Sequence, residues 1–400
     1  MSKFKRVFLT VLDAVGVGAL PGQPVSSSLE DTLKKEGPIE LNNLRKMGLG
    51  NLIEDTELIN KGINSFIAHF GNMRLSSNFA DSWAGHWELA GVTLPADFSY
   101  YWTDGFNKEI INAFEKETGY KVIGNKAFLH RDDVLPNLLP QHLNDKKSVI
   151  VLTEEGLETI RTFGIYAHQD NISLEEQYRL CEVTTKILAK YNNVIGRVGS
   201  RPVISDSKGK FIVPDSDRKD FLIFTPPNDT LMKNLKNVNI QTYAVGKVWA
   251  MFRGEGIEDS IYTRSNDESI EGLFEFANKV DEGLIFTNLN DWDAKYGHYF
   301  DTKGWVSALE KFDNQLSALL DKLRDDDLLI LCADGHGCDP VNSALHTREY
   351  SPLIVYHNGI VEGKKLNGEK HLCDIEATIA DIFNAKRVGK GTSFLKEIIE

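Results

Sequence analysis

Asp293 and His298 stand five residues apart, Asp334 precedes His336 by two, and His346 follows ten further on. Mixed Asp and His donors suit Mn, Zn or Fe, whereas Mg and Ca favour oxygen alone. Two such ions about 4 Å apart can clamp the attacking and leaving oxygens of a phosphoryl group. Asp13 and Asp291 are further candidate carboxylates. A nucleophile candidate lies in Asp81-Ser-Trp-Ala-Gly-His-Trp-Glu88. Ser82 could open a helix, where free N–H groups and the dipole favour a phosphate. A metal on its hydroxyl would lower the pKa and make an alkoxide-like attacker. His86, four residues on, shares that helical face and could hold a phosphate or a carboxylate. Each residue also has an ordinary role: a lone Asp caps a turn, a Ser caps a helix, a His packs. The remaining six histidines have no acidic company of this kind and keep that ordinary reading.

The elements that would position these residues are short and apolar. Arg6–Leu12, Ile240–Val245, Leu284–Leu289 and Leu328–Cys332 read as buried strands. Asp13 follows the first of them, Asp291 and Asp293 the third, and Asp334 the fourth. Ligands of open α/β sheets bind beyond the carboxyl ends of strands. Three strands ending in carboxylates therefore aim at one place. Val306, Leu309, Phe312, Leu316, Leu319, Leu320 and Leu323 recur at helical steps between the last two strands. This alternation predicts an α/β fold with a central, mostly parallel sheet. The motif residues lie toward both chain ends, so residues 1–96 and 223–400 are expected to form a core. Residues 97–222 would be an α+β cap inserted into it, with a strand at Ser148–Leu152, a helix over Leu174–Tyr191 and a linker back at Thr225-Pro-Pro-Asn-Asp229.

With 45 Lys and Arg against 58 Asp and Glu, the net charge of -13 argues against a nucleic-acid partner. It leaves room for a phosphorylated substrate, because local cations can outweigh the global field. The apolar run after Arg6 ends at Asp13, too short for the core of a signal peptide, and no stretch is long enough to span a membrane. The four cysteines form no CxxC pair, and reduced thiols in the cytoplasm are the simplest reading.

A family resemblance rests on motifs in order along nearly the whole chain. They are Arg6-Val-Phe-Leu-Thr-Val-Leu-Asp-Ala-Val-Gly-Val-Gly18, Gly85-His-Trp-Glu88, Ile123-Gly-Asn-Lys126, Gly254-Glu-Gly256, Asp291-Trp-Asp-Ala-Lys-Tyr-Gly-His298 and His346-Thr-Arg-Glu-Tyr350. The chain resembles the phosphopentomutases of the alkaline phosphatase superfamily. The resemblance implies an alkaline-phosphatase-like core, two divalent ions (Mn2+), and metal ligands at Asp13, Asp293, His298, Asp334, His336 and His346. It implies a phosphorylated nucleophile at Ser82, also in contact with metal, where the family carries threonine. Transfer would run through a bisphosphate of a phosphorylated sugar. Arg197, Arg201, Arg218 and Lys247 are candidates for substrate phosphate or cap contacts.

Four positions depart from the family pattern. Ala80 replaces a lysine, Ala127–Asp133 replaces a small-residue segment, and Gly209–Arg218 lacks an arginine. These changes predict a sugar other than ribose or deoxyribose phosphate. The fourth is Asp334-Gly-His-Gly337, one residue longer than the family's Asp-His-Gly. Gly335 could absorb the extra residue in a bulge and leave His336 a ligand. A phosphosugar mutase is the primary expectation, with a metal-dependent phosphomonoesterase or a non-catalytic pseudoenzyme as its rivals.

Overall fold

The structure is a computed structural model and describes residues 4–399 apart from 24–25, 60–62, 64, 78–79, 95–104, 128–130, 155–161, 191–195, 224–228 and 344. The expected linker therefore lies outside the described residues but for Asp229, as do Phe128–His130 of the altered segment and Tyr191. The chain divides into two compact units, Met1–Pro95 with Pro226–Glu400, and Ala96–Thr225.

In chain order, β1 (Arg6–Leu12) and β2 (His69–Arg74) precede the inserted unit. That unit holds β3 (Lys121–Ala127), β4 (Ser148–Glu154), β5 (Thr162–His168), β6 (Arg197–Ser205), β7 (Phe211–Ile212) and β8 (Lys219–Leu222). After it come β9 (Thr242–Val245), β10 (Asp259–Ile261), β11 (Gly283–Leu289), β12 (Asp327–Cys332), β13 (Gly337–Cys338), β14 (His346–Thr347), β15 (Ser351–Tyr356) and β16 (Lys370–His371).

The first unit is α/β. Its main sheet runs β10-β9-β11-β1-β12-β15-β2-β16. Every neighbouring pair from β10 to β12 is parallel. β15 is antiparallel to both β12 and β2, and β16 joins β2 in parallel. All residues of β1, β11 and β12 are buried. A strand flanked on both edges and covered on both faces has no solvated side, hence the nearly unbroken apolar runs. The exception in β1 is Arg6, whose Nε and Nη2 reach the Asp327 carboxylate at 2.7 and 2.5 Å. Its Nη1 donates to the carbonyls of Ala277 and Val280, so the buried charge is paired and its donors are used.

Between β11 and β12 runs the helix Thr302–Leu320, capped by Asp301, which accepts from Gly304 N at 2.9 Å. Of the expected stripe it buries Val306, Leu309, Phe312, Leu316 and Leu319, with Trp305 added beside them, while Leu320 is half-buried and Leu323 lies past its end. Each such side chain fully buried contributes about 1.5–3 kcal/mol.

The inserted unit is mixed. Its sheet runs β3-β4-β5-β6-β7 with β8 also on β6. Helices Lys108–Thr118 and Leu174–Leu188 place Ile110, Phe114, Leu180 and Cys181 in one cluster with Val149, Phe163 and Val198 of the strands.

Candidate active site

The parallel register carries Leu12 opposite Leu289 and Val11 opposite Cys332, so β1, β11 and β12 end side by side. The residues just past those ends then share one edge of the sheet. Asp13 leaves β1 with its N–H on Leu289 O at 3.1 Å. Past β11 the chain makes a π turn over Trp292–Tyr296 and a tight turn over Gly297–Tyr299. Such wide turns recur at functional sites, and this one brings Asp293 and His298 together across five residues. Past β12, Asp334 precedes Gly335, whose φ of +88° turns the chain before His336. The positive φ is the adjustment expected for the extra residue. β13 and β14 then pair antiparallel, with Cys338 opposite His346, and return His346 to the same place.

Ser82 lies at the start of the helix Ser82–Leu89. It is not the cap. Asp81 is, accepting from Trp83 N at 2.7 Å. With capping done by its neighbour, the Ser82 hydroxyl is left for other partners. Gly85 lets this helix lie on the end of β12, since a Cβ there would sit 1.8 Å from the Asp334 carbonyl oxygen.

Ser82 Oγ lies 3.2 Å from Asp13 Oδ1, 3.2 Å from His336 Nε2 and 2.8 Å from Lys247 Nζ. Lys247 Nζ also pairs with Asp13 Oδ2. His336 Nε2 is 3.3 Å from Asp334 Oδ2 and 3.7 Å from Asp13. His346 Nε2 and His298 Nε2 lie 3.1 and 3.4 Å from Asp293 Oδ1. The rings of His336 and His346 stack with centroids 4.1 Å apart, joining the two groups. Asp291 lies apart from these contacts, its N–H held by Asn266 Oδ1 at 2.9 Å.

Three buried carboxylates in this space create a strong demand for positive charge. Burial, then Asp334, push the Asp13 carboxyl up to about 7, against the pull of Lys247. For His336, burial opposes the charged ring, but Asp334, Asp293 and Asp13 outweigh it and hold its pKa at about 10. Burial likewise opposes ionised Asp293 and Asp334. The histidines around Asp293, and His336, His86 and Lys247 around Asp334, keep both carboxyls well below the usual range. Lys247 stays charged despite burial because Asp13, Asp293 and Asp334 surround it. Its ammonium and the His336 ring thus supply here the positive charge that a bound cation would bring.

The donor set fits divalent metal. Among the described residues, ligand atoms lie within 4.8 Å of one another in three groups: Asp13, Asp334 and His336; Asp293, His336 and His346; and Asp293, His298 and Cys338. None of the other described histidines joins them.

Two expectations change. His86 is fully buried, with Nδ1 on Ser82 O at 2.8 Å and Nε2 against the Asn288 side chain at 2.9 Å. Burial lowers its pKa to about 4, so the ring is neutral. It braces the helix start, and its Nδ1 also stands 3.5 Å from Asp334 Oδ2, so of the two roles expected for it the structure gives it a carboxylate. Ala80, one of the changes from which a different sugar is expected, is also buried, and its carbonyl accepts from His346 Nδ1 at 2.7 Å. Lys247, expected as a substrate or cap contact, reaches the Ser82 hydroxyl. Sequence reasoning overlooked Cys338 beside His298, although it stands only two residues past His336.

Arg197, Arg201 and Arg218 belong to the inserted unit. Arg197 Nε donates to Thr162 Oγ1 at 2.5 Å, and Arg201 Nη1 to Asp220 Oδ1 at 2.7 Å. Burial opposes ionisation of Asp220, but the charges of Arg197, Arg201 and Arg218 hold its carboxyl low. The three arginines are thus gathered about one carboxylate.

Among the described residues, no helix is long and apolar enough to cross a membrane. The four cysteines are free and buried.

The sequence profile of the metalloenzyme superfamily matches residues 5–387. The phosphopentomutase of Caldanaerobacter subterraneus subsp. tengcongensis is 41% identical over 400 residues, 98% of each chain. That of Dictyoglomus thermophilum is 39% identical over 402 residues, 99% of each. That of Clostridioides difficile is 38% identical over 396 residues, 97% of this chain and 98% of its own. With near-complete coverage at these identities, and with Asp and His donors gathered around a helix-start serine, the chain belongs to the phosphopentomutase family of the metalloenzyme superfamily.

Proposed function

We propose that the chain is a metal-dependent phosphosugar mutase that carries its phosphoryl group on Ser82. The observation that carries this reading is the hydroxyl of Ser82, held within 3.2 Å of Asp13 and His336 and 2.8 Å from the Lys247 ammonium. A structural serine at a helix start needs none of these partners.

Asp13, Asp334 and His336, with Ser82, would hold one divalent ion, and Asp293, His298 and His346 a second. Manganese suits such mixed oxygen and nitrogen donors. When bound, the pair supplies Lewis-acid neutralisation of charge on the phosphoryl oxygens. The chain's own residues do the rest. Lys247 offers a positive charge to the Ser82 oxygen as attacker and leaving group. The free N–H groups of the helix start face the same region and favour an anion there. His86 and Asp81 hold that helix start in place.

In turnover, phosphorylated Ser82 gives its phosphoryl group to a free hydroxyl of a sugar phosphate. The P–O bond to the sugar forms as the P–O bond to Ser82 breaks, and the proton given up by the sugar hydroxyl is balanced by one taken up at the departing Ser82 oxygen. The resulting sugar bisphosphate returns its other phosphoryl group to Ser82, leaving the isomeric monophosphate. The relatives are named phosphopentomutases, so pentose phosphates are the first substrates to assay. Arg197, Arg201 and Arg218 of the inserted unit are candidate phosphate contacts on residue type, because a guanidinium's planar fork pairs bidentately with phosphate.

The test is phosphorus NMR of a sugar phosphate panel with the manganese-loaded protein. Wild type should interconvert positional isomers without releasing free phosphate, and Ser82→Ala should convert none while keeping its circular dichroism. Free phosphate as the main product would favour a phosphomonoesterase. Wild-type turnover by Ser82→Ala would remove Ser82 from the chemistry.

A further inference from the structure

His346 shows how a ring is fixed at this centre. Its Nδ1–H donates to the Ala80 carbonyl at 2.7 Å, which leaves Nε2 facing Asp293 Oδ1 at 3.1 Å. His298 repeats that layout. Its Nε2 faces the same oxygen at 3.4 Å, and its ring stacks on His346 with centroids 5.2 Å apart and planes 18° apart. Where His346 has a carbonyl, His298 has sulfur, its Nδ1 lying 3.3 Å from Cys338 Sγ.

The sulfur is placed there by the fold. Cys338 stands directly opposite His346 in the β13–β14 pair, and side chains of directly opposed residues leave a ribbon on the same face. Cys338 is fully buried. Gly297, next to His298, packs so close that a Cβ on it would lie 2.7 Å from Sγ. The thiol is therefore wedged against the turn that carries His298.

Metal-binding histidines almost always give their second ring N–H to a carboxylate, a carbonyl or water, which fixes tautomer and ring orientation. Resting on the metal reading above, we propose that Cys338 is a positioning residue that accepts the His298 Nδ1–H, keeps the Nε2 lone pair aimed beside Asp293, and so sets the affinity for the second divalent ion. The rival arrangement is direct ligation. Asp293, His298 and Cys338 each offer a ligand atom within 4.8 Å of the others. The two arrangements differ in whether sulfur touches metal.

Cobalt(II) decides between them, because a thiolate on cobalt adds an intense near-ultraviolet charge-transfer band. The full chain is titrated with Co2+, with stoichiometry from elemental analysis and affinities from calorimetry and visible absorption. Wild type should bind two ions without a charge-transfer band. Cys338→Ala should weaken one of the two roughly 10–100-fold, the usual cost of losing such a partner. Cys338→Ser keeps an acceptor at the same branch and should hold both affinities near wild type. A wild-type charge-transfer band that vanishes in Cys338→Ser would make the sulfur a ligand and overturn the proposal. So would Cys338→Ala binding both ions normally, or Cys338→Ser binding as weakly as Cys338→Ala. If Cys338→Ala does not fold, the wild-type spectrum and the serine variant still decide. A wild type that binds no cobalt would sink the metal reading itself, and this inference with it.

Discussion

Gly335→Ala isolates the residue that lets His336 return to the centre. At φ +88° an alanine meets the steric penalty of left-handed backbone, about 1–2 kcal/mol. Its Cβ would also lie 2.6 Å from Leu75 Cβ and 2.9 Å from Leu372 Cδ1, inside a packed core. Overpacking of that kind costs about 1–3 kcal/mol. Together the two effects predict a loss of about 2–5 kcal/mol. Gly368→Ala is the control, because Gly368 has φ +67° and a Cβ added there would meet nothing within 4 Å, so only the backbone penalty applies. The difference between the two variants in urea unfolding is then the packing contribution alone. The displaced backbone also carries His336, so Gly335→Ala should bind Mn2+ more weakly, whereas Gly368→Ala should match wild type. Equal stability losses in the two variants, together with unchanged metal binding in Gly335→Ala, would refute both the packing argument and the role given to this turn.

Two further outcomes are expected. Purified protein should contain about two divalent ions per chain by elemental analysis, Asp293→Ala and His298→Ala should each deplete one, and chelation should stop turnover; an ion-free protein unaffected by manganese would support the pseudoenzyme. In competition assays another phosphorylated sugar should be preferred over ribose 5-phosphate, because an arginine is missing from Gly209–Arg218 and the 127–133 segment is rewritten; a clear preference for ribose or deoxyribose phosphates would show that these changes leave sugar choice alone.

What could be read from the sequence was what burial writes into short segments. β1 matches its expected span, and β11 and β12 each begin one residue earlier than their apolar runs. Asp327 was missed in β12 because a charged residue breaks the run, and only the fold supplies Arg6 as its partner. The carboxylates and histidines were found because they follow those strands at short spacing. Lys247 and Ser82 are 165 residues apart, and nothing local in either segment announces their contact. Asp81 took the capping role offered to Ser82 because its carboxylate reaches Trp83 N, a choice between adjacent cap-forming residues that type alone does not settle. His86 had helical spacing in its favour, but its direction was set by Phe286 and Asn288, which come from a distant strand.

The place of β1 in the sheet has a consequence for how the protein is made. This strand leaves the ribosome well before both its neighbours, β11 and β12, which are encoded only after the inserted unit. About 320 residues separate Leu12 from Cys332, so at about 5–20 residues per second β1 waits roughly 16–64 s for its second edge to be covered. Ala96–Thr225, by contrast, is continuous and emerges whole before either partner of β1 exists. During the interval an apolar strand with two open edges is a target for pairing with other chains. Nascent protein should therefore depend on chaperones far more than the finished fold does, and truncation anywhere before Cys332 should yield an aggregating product with no functional site.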